Sequence, residues 1–392
     1  MFGGIDSMNL KMMNDLWILE LPQATPGTVH WKLIKSSAIM PKGRAHHDAV
    51  LVRGHVLVVH GGLLDDGCRT DDTWAIDLDA VVPTWSVLGL PGTPRNPIPR
   101  YHHTLLASDA TGKIVLFGGH DYQRRALDDV WILEMDNPEF LWRSLTTLSP
   151  KPEPRAYHAA IALGSCMLVS GGELQDGDSS GELWILDLER EIWEKVGKDL
   201  ARGGRMRHSM CLVAGDTAAG AVVALCGGHG RDVADARPLQ PLLLQLTREG
   251  DDIRCEELQS PADGAQPGQL RRDAALMQLE SGHLVLFGGN DGKVTDSFGD
   301  GYHQFGIENA LAADAPGGCA GLWRRLTPPK EATSGMSAGG AVAARAGSGQ
   351  VVVVDSDRRT NDARVHSLTL TAADSPLSKS SAADEPADRS NQ

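Results

Sequence analysis

Pairs of adjacent glycines that end or nearly end an apolar run recur along this chain at an almost constant interval. The first glycines of successive pairs are 58, 57, 53, 56 and 61 residues apart, and each pair lies at or near the end of an apolar run. The pairs are Gly3-Gly4, Gly61-Gly62, Gly118-Gly119, Gly171-Gly172, Gly227-Gly228 and Gly288-Gly289. A period near 50 residues indicates one supersecondary unit per repeat, which cannot bury a core alone. The 392 residues therefore predict one repeat array rather than several unrelated domains.

Each complete unit contains four short runs of β-branched and aromatic residues. In the second unit they span 47–52, 55–60, 73–78 and 84–88, and the third and fourth units repeat this order. Gly, Pro and Asp separate the runs and no long helical period interrupts them, which is typical of an all-β chain. The fifth unit has leucines at 241–246 in place of its first tryptophan, and the seventh unit, at 334–370, is weak. The fifth and seventh repeats are therefore predicted to be degenerate.

The first unit lacks its first strand and most of its second. Either the seventh unit supplies these strands or the natural chain extends beyond Met1, because a stable domain rarely begins partway through a central strand. Residues 372–392 are rich in Ser, Ala and Asp without aromatic residues, which predicts a disordered tail.

Composition limits the partners and the compartment. With 37 basic and 51 acidic residues the net charge is −14, which argues against binding to nucleic acid or to an anionic membrane. The six cysteines are scattered without a C-x-x-C pair, as expected for reduced thiols in the cytoplasm or nucleus. No signal peptide and no membrane-spanning run of about 20 apolar residues is visible.

The combination of a Gly-Gly pair, an acidic residue two positions before a tryptophan, and a second tryptophan about ten residues later resembles the kelch repeat. The residues are Asp15/Trp17/Trp31, Asp72/Trp74/Trp85, Asp129/Trp131/Trp142 and Glu182/Trp184/Trp193. The resemblance implies a kelch-type β-propeller over residues 1–371 with six or seven four-stranded blades. It also implies that the tryptophans fill the space between blades, and we expect the acidic residue to accept a hydrogen bond from loop backbone.

Among kelch proteins, the chain looks most similar to F-box/kelch-type adaptors. This implies a non-catalytic module that binds a protein or peptide without a cofactor, such as the substrate-recognition part of a ubiquitin ligase, with room for an effector domain upstream of Met1. The alternatives are a small-molecule enzyme of the galactose-oxidase-like or sialate-epimerase-like propeller type, and a purely architectural scaffold. The chain has only four tyrosines, and no H-E-x-x-H or P-loop motif.

A second recurrence, Arg-x-x-His, opens the second to fifth units. Its histidines are His47, His103, His158 and His208. Equivalent positions in successive blades lie too far apart to share one ion at about 2.0–2.1 Å, so we interpret these histidines as structural and predict no metal site.

The residues around this recurrence are the candidates for partner binding. The arginines suit carboxylate recognition, although each could instead pair with an acidic residue of the next blade. Between Arg and His stands a residue that differs from blade to blade, which the fold alone does not explain. The turns after Gly-Gly add further polar and aromatic residues, whereas the pair Arg124-Arg125 is interpreted as solvated. The predicted partner-binding residues are Arg44, His46, Arg100, His102, Arg155, Tyr157, Arg205, Arg207, His120, Asp121, Tyr122, His229 and Asn290.

Overall fold

The structure is a computed structural model, and the part of the chain that it describes contains strands, turns and loops without any helix. No helix that could cross a membrane is therefore present in that part. The described residues are 2–6, 11–20, 30–35, 39–136, 140–147, 150–197, 199–200, 203–216, 220–230, 242–250, 252–258, 272–278, 284–290, 302–305, 323–326, 343–345, 350–355 and 364–369. The tail predicted at 372–392 lies outside them.

The second to sixth units each form one four-stranded antiparallel sheet, with the strands adjacent in chain order. The strands of the second unit are Asp48–Val52, Val56–His60, Thr73–Asp77 and Trp85–Leu88, and those of the third are Thr104–Ser108, Lys113–Phe117, Val130–Glu134 and Trp142–Leu145. The fourth has Ala159–Leu163, Cys166–Ser170, Leu183–Asp187 and Ile192–Lys195. The fifth has Met206–Asp216, Gly220–His229, Leu242–Glu249 and Asp252–Leu258, and the sixth has Arg272–Gln278, Leu284–Asn290, Tyr302–Phe305 and Trp323–Leu326.

The two outermost units show fewer strands among the described residues. The first pairs Trp17–Glu20 with His30–Leu33 and Ile5–Asp6 with Lys11–Met12, and the seventh pairs Ala343–Arg345, Gln350–Asp355 and Arg364–Thr369. Short strands also pair within single units, Arg44–Ala45 with Leu63–Leu64 and Arg155–Ala156 with Glu173–Leu174.

The sheets are arranged side by side around their first strands. From the second unit to the seventh, the first strand of each sheet contacts the first strand of the next. The buried apolar clusters lie between neighbouring sheets, so that each cluster combines residues of two successive units. This is a β-propeller, and the predicted fold class is confirmed. Whether six or seven blades close the ring stays a prediction.

The second tryptophan of each good unit packs against the preceding unit. The rings of Trp193 and Phe117 lie 5.1 Å apart, and Trp142 Nε1 donates a hydrogen bond of 2.9 Å to Thr73 Oγ1. Both indoles are about 95% buried, since their exposed fractions are 5% and 4%. A side chain of this size buries about 150–250 Å², so these contacts dominate the inter-blade cores. The fifth unit forms its full sheet with buried leucines instead.

The Gly-Gly pair joins each unit to the next through the backbone. The second glycine donates its N–H to the carbonyl of the arginine that opens the following unit, as in Gly119 to Arg155 at 2.9 Å. The first glycine needs its missing side chain: Gly118 has φ +65°, and a Cβ there would meet the Arg155 oxygen at 2.6 Å. Glycine is thus required both by the left-handed backbone and by the close approach of the neighbouring blade.

Candidate partner-binding site

The arginine that opens the third unit is an internal clamp. Arg100 is fully buried, at 0% exposure, and donates one hydrogen bond of 2.7 Å to each carboxylate oxygen of Asp129 and another of 3.0 Å to the Gly118 carbonyl. Trp131 Nε1 donates to the same carboxylate at 2.7 Å. Although burial opposes ionisation, Arg100 holds the pKa of Asp129 below its ordinary value. The repeated acidic residue therefore accepts from side chains of its own unit, and not from loop backbone as expected.

The same clamp occurs in the neighbouring units. Arg44 pairs with Asp72 at 2.7 Å and Arg155 with Glu182 at 2.9 Å, and both arginine side chains are fully buried. Arg205 is also buried, at 2% exposure. The expectation that Arg44, Arg100, Arg155 and Arg205 face a partner is wrong, because guanidinium groups that are 0–2% exposed cannot contact another molecule. The acidic partner lies in the same unit rather than in the next one.

The repeating histidines are structural as well. His103, His158 and His208 are buried, and a Cβ on Gly118 would lie 2.9 Å from Cε1 of His158. The His158 ring also hydrogen-bonds Thr104 Oγ1 across the blades through Nε2, at 2.8 Å. Burial, helped by the charge of the neighbouring arginine, lowers the pKa of His208 to about 3. Each imidazole is thus neutral and packs against the glycine of the preceding blade.

Four side chains of three kinds stack across four successive units. We call His46, His102, Tyr157 and Arg207 the rim stack, because each stands at or just before the start of the first strand of its unit. The His46 and His102 rings are 4.3 Å apart, the His102 and Tyr157 rings are 3.9 Å apart, and the Arg207 guanidinium carbon lies 3.9 Å from the centre of the Tyr157 ring. His46 is exposed and the other three are half-buried.

The backbone beneath the rim stack is equally regular. The four residues have φ values of 55°, 55°, 54° and 58°, in the left-handed region. The N–H of each later residue donates to the carbonyl of the stack residue in the preceding unit, at 3.1, 3.2 and 2.9 Å. A non-glycine residue in this conformation costs about 1–2 kcal/mol, and glycine or asparagine would avoid most of that cost. The backbone conformation therefore does not explain why these four side chains are present.

Two further aromatic side chains contact the rim stack. The Tyr101 ring lies 4.8 Å from His102, and the His120 ring lies 5.6 Å from Tyr101 and 5.6 Å edge-on from Tyr157. Both are buried, with exposures of 7% and 4%. The guanidinium of Arg69 stands 5.0 Å from the Tyr101 ring. His120 therefore supports the face from below instead of projecting from it as a loop residue.

The turn after Gly118-Gly119 contains one buried and one exposed candidate. Asp121 is 1% exposed and accepts hydrogen bonds from the backbone N–H groups of Gln123 and Arg125, at 2.8 and 2.9 Å, so it shapes the turn. This corrects its prediction as a contact residue. Tyr122 is 66% exposed and stays a candidate.

The remaining candidates occupy one equivalent position in three units. His120 bridges Tyr101, His229 pairs with Met206 and Asn290 pairs with Arg272. His229 is half-buried and its Nδ1 lies 2.8 Å from the Gly230 carbonyl. The backbone of Asn290 ends its strand on the same side of the propeller as His120 and His229, and a role in binding stays a prediction for both His229 and Asn290.

Burial is the main reason why the two imidazoles of this face are neutral, and neighbouring positive charges act in the same direction. Burial and the charges of His46, Arg207, His120 and Arg124 all lower the pKa of His102. Burial and Arg124 likewise lower the pKa of His120 to about 4, with Asp121 opposing. Both imidazoles are therefore neutral at pH 7 and offer hydrogen-bonding groups without charge.

The rim stack consists of aromatic rings and an arginine. Within the described ranges, no group of three or more His, Cys, Asp or Glu side chains is placed to hold a metal ion. Rigid aromatic rings and arginine are the side chains most often responsible for affinity at protein interfaces.

The prediction from sequence missed Arg69 and Arg124 as members of this face. Both lie between a Gly-Gly pair and the repeated acidic residue, and this turn has the same length in the second and third units. Aligning the two turns places Arg69 opposite Ala126 and Arg124 opposite Gly67. The criterion that selected the rim stack, a residue that varies at a repeating position, would therefore have marked both arginines.

Residues 78–237 match the family model described as the KLHDC2/KLHL20/DRC7 Kelch-repeats domain. An F-box/kelch-repeat protein of Arabidopsis thaliana is 33% identical over 201 residues, which cover 48% of this chain and 41% of that protein. Adagio protein 3 of the same plant is 26% identical over 292 residues, covering 74% and 45%. Human host cell factor 2 is 30% identical over 229 residues, covering 48% and 27%. The chain spans less than half the length of each of these relatives.

Proposed function

The chain carries kelch repeats that fold into the blades of a β-propeller, and we propose that it is a protein-interaction module whose partner binds over the rim stack. The rim stack supports this proposal most directly. Two histidines, a tyrosine and an arginine occupy equivalent positions, in a backbone conformation that disfavours them, and together they form one continuous surface.

The partner proposed for this face is a protein or a peptide. The net charge of −14 disfavours nucleic acid and anionic membranes. Aromatic rings held rigidly by stacking lose little conformational entropy on binding, which favours a peptide or protein surface as ligand. Relatives that are named as F-box/kelch-repeat and host cell factor proteins support an adaptor role without catalysis.

The experiment compares partners retained by wild type and by a His102→Gly/Tyr157→Gly double variant in quantitative co-purification from cell extract. The matched control is Arg53→Gly. Arg53 also has a left-handed φ, 51°, but it follows the first strand of the second unit, whereas His46 precedes that strand. Loss of partners from the double variant, with retention by the control, is the expected result.

The double variant is informative because it is expected to fold. Glycine relieves about 1–2 kcal/mol of backbone strain at each position, and the lost ring contacts are worth about 0.5–1.5 kcal/mol per pair. These terms nearly cancel, so the melting temperature should change little. Recovery of the same partners by the folded double variant would show that the rim stack is not the binding surface.

We further propose a cytoplasmic or nuclear location. The cysteines that the structure describes, Cys68, Cys166, Cys211, Cys226 and Cys255, are all free thiols, which supports a reducing compartment. Imaging of a tagged full-length protein tests this, and secretion into the medium would contradict it.

A further inference from the structure

The turn that follows the Gly-Gly pair has the same form in three successive units. Its five residues are 64–68 in the second unit, 121–125 in the third and 174–178 in the fourth. In each turn the first residue donates its N–H to the carbonyl of the fifth, and the fourth donates to the carbonyl of the first, at 2.7–3.1 Å. The second residue of the turn is therefore an equivalent position in all three units.

In two of the three units, this second residue binds the backbone of the preceding unit. Asp65 Oδ1 accepts a hydrogen bond from the N–H of Met12. In the same way, Gln175 Oε1 accepts one from the N–H of Ala126, at 2.8 Å. The third unit has Tyr122 at this position, and a phenol supplies neither the carboxylate nor the amide oxygen that forms this contact.

Tyr122 projects from its turn instead. Its side chain is 66% exposed, and its phenolic oxygen accepts a hydrogen bond of 2.7 Å from Nε2 of the neighbouring Gln123. Among the residues that the structure describes, no acceptor lies within hydrogen-bonding reach of its own O–H. An exposed aromatic ring with a free donor thus replaces a contact between units.

The backbone that carries Tyr122 is held firmly beside the rim stack. The preceding residue, Asp121, is 1% exposed and accepts two backbone N–H groups of the turn and the Arg125 side chain. Two residues before Tyr122 stands His120, whose ring lies 5.6 Å from Tyr157. A tyrosine on a fixed backbone has only two side-chain torsions to order, so its binding costs little conformational entropy.

We infer that Tyr122 is an anchor that inserts into a pocket of a folded partner protein next to the rim stack. The inference rests on the proposed function and narrows the partner from a protein or peptide to a folded domain. A projecting ring is buried only by a concave surface, which a short extended peptide does not form. Tyrosine is enriched among residues that dominate binding, and a buried phenol needs a hydrogen-bond partner, so the pocket is apolar and ends on an acceptor oxygen.

The probe for the test is the most abundant protein that wild type retains, and the His102→Gly/Tyr157→Gly variant loses, in co-purification from cell extract. It is prepared as the intact recombinant protein and as overlapping short peptides that span its sequence. Calorimetry measures the affinity of each for the purified full chain, as wild type, Tyr122→Ala, Tyr122→Phe and the control Val82→Ala. Val82 is 68% exposed, in the turn between the third and fourth strands of the second unit, at the opposite end of the strands from the Gly-Gly turns.

Tyr122→Ala should weaken binding of the intact protein by about 30-fold or more, the loss typical of a dominant interface residue. Tyr122→Phe should weaken it by about 2- to 10-fold, as expected for one hydrogen bond, and Val82→Ala by less than about twofold. Each peptide should bind at least about 30-fold more weakly than the intact protein, because it forms no pocket. Melting temperatures close to wild type for the three variants establish that folding is unaffected.

The two proposals fail in different ways. If Tyr122→Ala binds the intact protein within about threefold of wild type, or if one peptide binds as tightly as the intact protein, the anchor inference is overturned and the rim stack remains the interaction surface. If wild type retains no protein that the His102→Gly/Tyr157→Gly variant loses, the proposed function is wrong and the anchor inference is wrong with it.

Discussion

Acidification from about pH 7.5 to about pH 5.5 should destabilise this propeller by several kcal/mol, because its core contains neutral histidines. His60, His103, His158 and His208 have exposures of 0%, 5%, 6% and 7%. Burial, with help from neighbouring cations, lowers the pKa of His60 and His208 to about 3, and the pKa values of His103 and His158 fall well below the ordinary value.

The sign follows from which state binds the protons. Over this interval the unfolded histidines, with pKa near 6.5, take up protons while the folded ones do not, so the unfolded state is favoured as pH falls. Each histidine contributes about 1.3 kcal/mol, and the four together contribute about 5 kcal/mol.

Asp48 acts in the opposite direction. Burial raises its pKa to about 6, against the hydrogen bonds that it accepts from backbone N–H groups, including that of Leu105 at 2.7 Å. The folded carboxyl takes up a proton at a higher pH than the unfolded one. Asp48 therefore raises the free energy of unfolding by about 0.8 kcal/mol as the pH falls. For these five groups the net loss is then about 4 kcal/mol, a large part of the 5–15 kcal/mol typical of a folded protein. His47, His102 and His120, whose pKa values are also lowered, add to this loss.

Urea unfolding followed by tryptophan fluorescence, at each pH, measures this loss. His158→Gln should fold less stably at every pH, but its loss on acidification should be smaller than that of wild type by about 1.3 kcal/mol. His208→Gln should show the same reduction. A stability that is unchanged between the two pH values, or a variant whose pH dependence equals that of wild type, would refute the assignment of neutral buried histidines.

Three substitutions, the last with a matched control, test other parts of the fold. Asp48→Asn removes the opposing carboxyl, so stability measured by the same urea titrations should fall more steeply on acidification by about 0.8 kcal/mol, and an unchanged slope would contradict the raised pKa. Arg100→Met leaves Asp129 without its clamp and should lower the free energy of unfolding by about 3 kcal/mol, whereas a loss below about 1 kcal/mol would mean that the ion pair is incidental. Gly118→Ala and Gly67→Ala share positive φ values of 65° and 77°, but only at Gly118 would Cβ clash with the next unit. In thermal melts, Gly118→Ala should therefore be less stable than Gly67→Ala by about 1–3 kcal/mol. Equal effects would argue against the close approach of the next unit to Gly118.

The fold could be predicted because its signals are local and repeated. Each signal has a local physical cause. Gly118-Gly119 forms a left-handed turn, Asp129 places a carboxylate beside an indole, and Trp142 places a large side chain between blades. Each signal is also repeated in several units, which makes it easier to recognise. The fifth unit shows the limit of this approach: its missing tryptophans suggested a degenerate blade, yet buried leucines complete the sheet.

The site could be predicted only in part. His102 and Tyr157 were found by asking which residue varies at a fixed position of the repeat, and that question depends on sequence alone. The role of Arg100 was misjudged because its burial depends on where Asp129 lies in the folded blade. The sequence does not show that these two side chains meet. The difference between Arg124 and Arg125 depends on which one reaches Asp121 within the turn, a matter of backbone geometry.

The rim stack has a consequence for how such a protein can change. Its backbone is fixed by hydrogen bonds from one unit to the next, and its side chains lie outside the clusters that hold the blades together. Substitutions at these four positions should therefore have little effect on the stability of the fold. The residues can then change one at a time during evolution. The same separation makes His46, His102, Tyr157 and Arg207 a natural set of positions to randomise when engineering new binding specificities on this scaffold.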